Sequence, residues 1–303
     1  MKHKLISAVT ALAMLTGCQT SSEAKSKPAP KPEAQPAKPA MWKLSDKDTN
    51  VYLFGTIHAL PKDLQWRTPA LEAAISQSSD LVLEVGDLDD QAAITGAFQK
   101  LALSPGLPPL AARIPEEKVA GLNKLVSESG VPARVLDSLE TWAAGLTIAS
   151  ASLGKLGVDP DSGADKQLSM TFKAAKKPVS GLETGEEQLG FFDKLPESDQ
   201  RAFLVGMIDE KTEAKEEFAK MVAAWKRGDE KEIALSFDDE TKMSAALTDV
   251  LLYKRNANWT NWLANRMNTP GTTMVAVGAG HLAGDGSVIA LLKKRGFKVK
   301  RVQ

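Results

Sequence analysis

An α/β fold built on a parallel-dominated, mixed central sheet flanked by helices is what this sequence predicts, and three observations predict it. Along residues 41–303, short strand-like apolar runs alternate with amphipathic helical stretches. One run, Leu81-Val82-Leu83-Glu84-Val85, is apolar throughout apart from its glutamate, as in a strand covered on both faces. The composition, 43% hydrophobic and 25% charged over 303 residues, supplies a real core and excludes a disordered chain, a collagen or a membrane bundle.

Residues 1–18 read as an export signal. Lys2 and Lys4 precede an uncharged stretch from Leu5 to Leu15 that is too short for a permanent membrane span. It ends in Leu15-Thr16-Gly17-Cys18, which resembles the bacterial lipobox, so the chain's one cysteine is expected to carry the lipid anchor. The alternative is a simple secretory signal with a stray Cys18. Gln19 after the cysteine resembles the outer-membrane sorting pattern, which points to a bacterial cell envelope location facing the periplasm. Residues 19–40 are Pro, Ala, Lys and Ser with little to bury, an extended tether reaching up to ~70 Å at ~3.1 Å per residue. The folded domain is expected over residues 41–303.

Met41 to Leu44 and Val51 to Ile57 flank a polar Ser45–Asn50 connection and predict a hairpin. Thr68 to Gln77 predicts a short crossover helix, and Leu81 to Val85 the next strand. The block from about 89 to 175 reads as a large helical insertion. Pro178 to Leu182 is a fourth strand, and residues 196–268 are again mainly helical. Thr273 to Val277, a helix over Asp285–Arg295 and a last strand over Phe297–Val302 close the chain. No internal repeat of fixed period is present.

Charge narrows the partners. Residues 1–40 hold six bases and two acids, which leaves 32 bases against 36 acids in residues 41–303, a net charge of −4 and no footprint for nucleic acid. A single cysteine closes no internal disulfide, so burial alone must hold the fold.

The chemistry concentrates at strand ends. Setting His3 aside with the signal leaves two histidines, and both end a Gly-x-x-His pattern: Gly55-Thr56-Ile57-His58 and Gly278-Ala279-Gly280-His281. Each follows an apolar strand at its C-terminal end, the edge where open α/β sheets build ligand sites. Glu84 lies within one strand and Glu183 closes another, and a buried carboxylate demands a partner. If the four strands are parallel, two imidazoles and two carboxylates share one rim, a nest suited to a divalent ion. The competing reading is structural: strand-terminal histidines cap or bond within the core, and such glutamates pair with arginine.

Around residues 243–266, Leu247, Leu251, Arg255, Trp259 and Trp262 fall on one helical face and place Arg255 inside an apolar stripe. Its guanidinium meets a carboxylate or an anionic substrate group there, or its stem merely covers the tryptophans. Asn256 is placed to cap or orient a neighbour. Gly278-x-Gly280-x-x-x-Gly284 lacks dinucleotide spacing and a following ribose acid; its glycines suit close backbone approach beside His281. No nucleophile-elbow sequence supports a serine triad.

These motifs, Gly55–His58, Leu81–Glu84, Gly181-Leu182-Glu183-Thr184 with Gln188-Leu189, Arg255-Asn256 with Trp259, and Val277–Leu282, resemble in order those of the TraB/GumN family over roughly residues 42–302. The resemblance implies a fold related to the erythromycin esterase and ChaN group. It also implies a metallopeptidase, because the related Tiki proteins are divalent-metal-dependent proteases that depend on two Gly-x-x-His motifs. It makes His58, His281 and Glu84 candidate ligands of a Mn, Co or Zn ion and Glu183 a candidate proton acceptor. Arg255 and Asn256 become supporting catalytic residues. Asp165, in Gly163-Ala164-Asp165, is a fair match to a family Gly-x-Asp element. The implied partner is a peptide or protein substrate, with the membrane reached through Cys18. Three other readings stay open: a metal-free, histidine-dependent hydrolase; a binding lipoprotein like the haem-associated ChaN, for which the chain offers just Tyr52 and Tyr253; and a non-catalytic surface-interaction protein.

Overall fold

A computed structural model describes residues 37–86, 90–152, 157–209, 214–240 and 245–303. The export signal, Cys18 and nearly all of the tether lie outside the described residues. Ala37 is already buried and Lys38 N–H donates to the Lys226 carbonyl at 2.7 Å, so the chain packs onto the domain just ahead of residue 41.

The expected hairpin forms from β1 (Met41–Ser45) and β2 (Thr49–Thr56). The Asp46 carboxylate closes it, accepting from the Asp48 and Thr49 amides at 3.1 and 2.9 Å. Helix α1 (Pro69–Gln77) starts where Thr68 accepts from the Leu71 amide at 3.1 Å and Pro69 fills the first turn. After β3 (Asp80–Val85) come α2 (Gln91–Ala102), α3 (Glu116–Ser129), α4 (Ala133–Asp137), α5 (Thr141–Ser152) and α6 (Ala164–Ala174). Strand β4 (Val179–Glu183) leads into α7 (Gly185–Asp193), opened by a capping box in which Thr184 and Glu187 satisfy each other's main-chain amides. Then follow α8 (Glu197–Asp209), α9 (Ala214–Arg227), α10 (Glu230–Glu240), α11 (Ala245–Thr248), a π-helical turn over Asp249–Tyr253, and α12 (Lys254–Arg266). Strand β5 (Gly271–Gly278), α13 (Val288–Lys294) and β6 (Val299–Arg301) end the chain. Both α13 and β6 are shorter than the apolar pattern suggests. Ser287 caps α13 by accepting from Ala290 N–H, which sets its start past Asp285.

The six strands form one mixed sheet in the order β4-β3-β5-β2-β1-β6. Strands β2, β5, β3 and β4 are parallel neighbours, with Thr56 opposite Gly278, Leu83 opposite Ala276 and Val85 opposite Glu183. Strand β1 runs antiparallel to β2 and β6. One face packs Tyr52, Phe54, Leu81 and Leu83 under Leu71 of α1, Leu168 and Phe172 of α6 and Trp225 of α9. The other packs Leu53, Val82, Val275 and Val277 under Trp259 and Leu263 of α12 and Val288 and Leu292 of α13. Two covered faces account for the unbroken apolar runs of β3 and β5. The expected helical insertion keeps its own core, with Leu122, Leu136 and Trp142 packed against Leu204 of α8. Among the described residues no helix is long and apolar enough to cross a membrane.

Candidate active site

Because the four strands are parallel, their carboxyl ends form the shared rim that the strand-end residues require. Glu84 lies one residue before the end of β3 and Glu183 is the last residue of β4. His58 comes two residues after β2, and His281 lies in a 3-10 turn (Ala279–Leu282) directly after β5. From the face above, α12 brings in Arg255, Asn256 and Trp259, all buried.

Glu84 is the centre of this arrangement. Its Oε1 accepts from the Gly278 amide at 2.7 Å, and its Oε2 accepts from Arg255 Nη2 at 2.6 Å and from Gln188 Nε2 at 3.2 Å. Burial alone would raise this carboxyl. The charges of His281, His58 and Arg255, together with the Gly278 amide, overcome that and lower it to about 2. Arg255 also reaches Glu183, from Nε to both carboxylate oxygens at 3.1 and 3.0 Å and from Nη2 at 2.9 Å. Burial opposes the guanidinium's charge, yet the two glutamates hold its pKa above the ordinary value.

Glu183 spends its remaining capacity on Trp259 Nε1 at 2.9 Å and Gln188 Nε2 at 3.2 Å. Both of its oxygens are therefore engaged, in a clamp that fixes Arg255. Arg255 is neither purely a carboxylate partner nor purely a cover for tryptophan. It pairs with both acids while its guanidinium lies 4.7 Å from the Trp259 ring centroid.

The two histidines are held alike, each by a side chain at Nδ1. For His281, Asn256 Oδ1 lies 2.7 Å from Nδ1, while Asn256 Nδ2 donates to the Gly286 carbonyl at 2.9 Å. That second bond fixes which end of the amide accepts, so His281 carries its proton on Nδ1 and turns the Nε2 lone pair inward. Burial, with the charges of Arg255 and His58, outweighs Glu84 and lowers His281 to about 4, so it is neutral at physiological pH. Its Nε2 stands 3.1 Å from Arg255 Nη1 and 3.8 Å from Glu84 Oε1, with its ring 4.4 Å from that of Trp259.

For His58 the partner is Asp165, at 3.2 Å from Nδ1. The setting of the ring opposes its charge, and the hydrogen bond and charge of Asp165 with the charge of Glu84 prevail, raising His58 to about 9. With 61% of that side chain open to water, screening moderates the pull. Asp165 reaches this place because Gly163 lets the first turn of α6 lie directly against the His58 carbonyl, where a side chain would collide. The other oxygen of Asp165, Oδ1, is buried without a hydrogen-bond partner.

Gly278 marks the point that these groups share. A Cβ built there would lie 3.1 Å from Glu84 Oε1, 3.5 Å from His281 Cδ2 and 3.8 Å from His58 Nε2. The absence of that carbon leaves a small space bounded by both imidazoles and a carboxylate. An adjoining pocket of about 250 Å³ opens beside it, lined by His58, Glu84, Val85, Asp165 and Gln188 among others. The donor types suit a borderline divalent ion, two imidazole nitrogens and carboxylate oxygen. Three acids stand against Arg255 and a His58 raised to about 9 and so protonated, a net charge of −1, and His58 must give up its proton before it can serve as a ligand. Among the described residues, no three His, Cys, Asp or Glu side chains are grouped as they stand so as to hold a metal ion.

Gln188, Trp259 and Gly278 enter the sequence reading as members of motifs; that Gln188 and the Trp259 indole N–H bond the glutamates, and that the Gly278 main-chain amide holds Glu84, residue type and strand position do not say. Gln188 lies in the first turn of α7, five residues after Glu183, and reaches both glutamates from there. The tyrosines take ordinary roles: Tyr52 donates to Gln77 Oε1 at 2.9 Å, and Tyr253 lies half-exposed against Gly286.

Comparison with known proteins finds relatives along most of the chain. The chain is 26% identical over 242 residues to "Uncharacterized protein YbaP" of Escherichia coli (strain K12), a match covering 80% of this chain and 87% of that protein. It matches a protein of the same description from Shigella flexneri to the same extent. No solved structure matches. The model of the TraB/PrgY/gumN family matches residues 40–301, which takes in the whole sheet and every residue of the rim, and the chain belongs to that family.

Proposed function

We propose that this protein is a divalent-metal-dependent hydrolase acting on peptide or protein substrates, held through a lipid on Cys18 at the bacterial outer membrane and facing the periplasm. What supports this reading is the space at Gly278, bounded by His58, His281 and Glu84 and flanked by a pocket that a substrate group can fill. His58, His281 and Glu84 would hold the ion, of the Mn, Co or Zn type. When bound, such an ion supplies a water of lowered pKa and a positive charge for a carbonyl oxygen.

The chain's own groups supply the rest. Asn256 orients the His281 ring through Nδ1, with Nε2 now facing Arg255 Nη1, and Asp165 orients the His58 ring through Nδ1, whose Nε2 becomes a donor to an ion once its proton is lost. With Glu183 committed to Arg255, the carboxylate left to receive a proton is Asp165, through its unpartnered Oδ1. Arg255, fixed by two glutamates, offers a stationary positive charge to a substrate carboxylate or a developing oxyanion.

A metal-free hydrolase is the second reading, favoured by the His58–Asp165 pair, an oriented acid–base pair whose raised His58 acts as a base only as the pH rises toward 9. One experiment separates the two. Quenched fluorescent peptides are incubated with purified protein stripped by chelator and then resupplied with Mn, Co or Zn. Restoration by metal, and loss of about a hundredfold or more in His58→Ala and His281→Ala, is the expected result. Activity that survives the chelator transfers the reaction to the His58–Asp165 base, and no cleavage under either condition sinks both.

A further inference from the structure

His281 has one lone pair to give, and Arg255 holds it. Nδ1 donates its proton to Asn256 Oδ1 at 2.7 Å, so the in-plane lone pair is on Nε2. A guanidinium can only donate, and Arg255 Nη1 stands 3.1 Å from that Nε2, which assigns the same tautomer from the other side of the ring. Arg255 has no donor left over. Nε serves Glu183, Nη2 serves Glu84 at 2.6 Å and Glu183 at 2.9 Å, and Nη1 divides its two protons between His281 and the Leu251 carbonyl at 3.1 Å. Glu84 is placed differently. Its Oε2 is the oxygen bound to Arg255, while Oε1, held by the Gly278 amide, is the one beside the space at Gly278. Oε1 stands 3.8 Å from His281 Nε2, within the span of two atoms each about 2.0–2.2 Å from one ion. A carboxylate with two oxygens can serve the arginine and an ion together. An imidazole nitrogen must choose, because 3.1 Å between Nε2 and Nη1 leaves no room for an ion bonded at about 2.0 Å to Nε2.

We propose that Arg255 gates this site: its Nη1 must withdraw from His281 Nε2 before His281 can hold a divalent ion, and the N–H released in that move becomes the donor for an oxygen of the substrate. The proposal rests on the reading of His281 as a ligand. It makes metal loading and substrate binding depend on each other. While Nη1 stays on His281, Arg255 offers a substrate its charge but no N–H. A substrate oxygen that takes Nη1 frees the His281 lone pair in return, and by linkage each event favours the other by the same factor. The bond that Nη1 gives up is a cost carried by the wild-type chain, and that cost is read directly as weaker metal binding.

The test measures zinc binding to the full chain by calorimetry against a competing chelator, with no substrate present. Arg255→Lys keeps a positive charge beside Glu84 and Glu183 but replaces the fork that reaches His281 with a single ammonium, so it separates the hydrogen bond from the charge. The gate predicts that Arg255→Lys binds zinc about tenfold or more tightly than wild type, since it has no bond to His281 to break. Equal or weaker binding by Arg255→Lys, with zinc still bound by wild type, overturns the gate and leaves the metal reading standing. A second measurement needs no variant. In 15N-labelled wild-type protein, the His281 Nε2 and Arg255 Nη1 resonances are expected to shift together over one zinc titration, and a His281 shift with Nη1 unmoved overturns the gate whether or not the variant folds. Zinc on Arg255→Lys but not on wild type supports the gate and overturns the metal-dependent hydrolase reading for the native chain. No zinc on either overturns both.

Discussion

Asn256 shows how much of this site depends on one amide. Its Nδ2 is spent on the Gly286 carbonyl, so its Oδ1 can only accept, and the tautomer of His281 is thereby set. Asn256→Ala removes that instruction and leaves a buried imidazole free to place its proton inward. We expect a 10- to 100-fold loss of metal affinity or activity with little change in the circular dichroism spectrum, and partial recovery in Asn256→Asp, which still accepts at Nδ1. Glu183 belongs to a different class. It is 9% exposed, and it holds Arg255 and the Trp259 indole rather than facing the shared space. Glu183→Gln leaves Arg255 one carboxylate short in a buried setting, so a stability loss of about 3–5 kcal/mol is expected from thermal or urea unfolding. A full-stability variant would show that Arg255 is satisfied elsewhere.

Among the elements, the π-helical turn over Asp249–Tyr253 does the most for its length. Lys254 N–H bonds back to the Asp249 carbonyl, one residue further than in an α-helix, and Arg255 Nη1 donates to the Leu251 carbonyl at 3.1 Å. The wide turn thus sets the azimuth of α12, which turns Arg255, Asn256 and Trp259 together onto the rim. Deleting Leu252 restores α-helical register and rotates α12 against α11 by about 100°. The expected protein retains its helical content and loses hydrolysis, because three aligned side chains lose their partners at once. Retained activity would mean that α12 is positioned by its packing on β5 alone. Strand β4 teaches a related lesson: it reads as apolar in sequence, yet Ser180 and Gly181 are exposed because it is the last strand of the sheet.

At the scale of the whole molecule, two cores are joined through the rim. The sheet and its covering helices share two apolar layers, while α2–α5 and α8 enclose a third around Trp142. Separate cores open separately, so amide hydrogen exchange is expected to protect β2, β3 and β5 most and to release the helical insertion as an earlier unit. Uniform protection across both would contradict that division.

Element types were readable in one dimension because burial leaves a period in the sequence: the hairpin, the doubly covered β3 and β5, and the amphipathic helices each carry it locally. His58, His281, Glu84, Glu183 and Arg255 could be singled out for the same reason, as polar residues at strand ends or inside apolar stripes. Their pairing could not. Arg255 lies 171 residues from Glu84 and 72 from Glu183 along the chain, and no local pattern states that one guanidinium will serve both acids. Nor does any local pattern state that Gln188 will bridge them, that a glycine amide will hold Glu84, or that β4 will be left at the edge. Such facts depend on strand order and on the rotation of α12, which are settled when the two faces of the sheet are covered and every buried charge must find a partner across the fold.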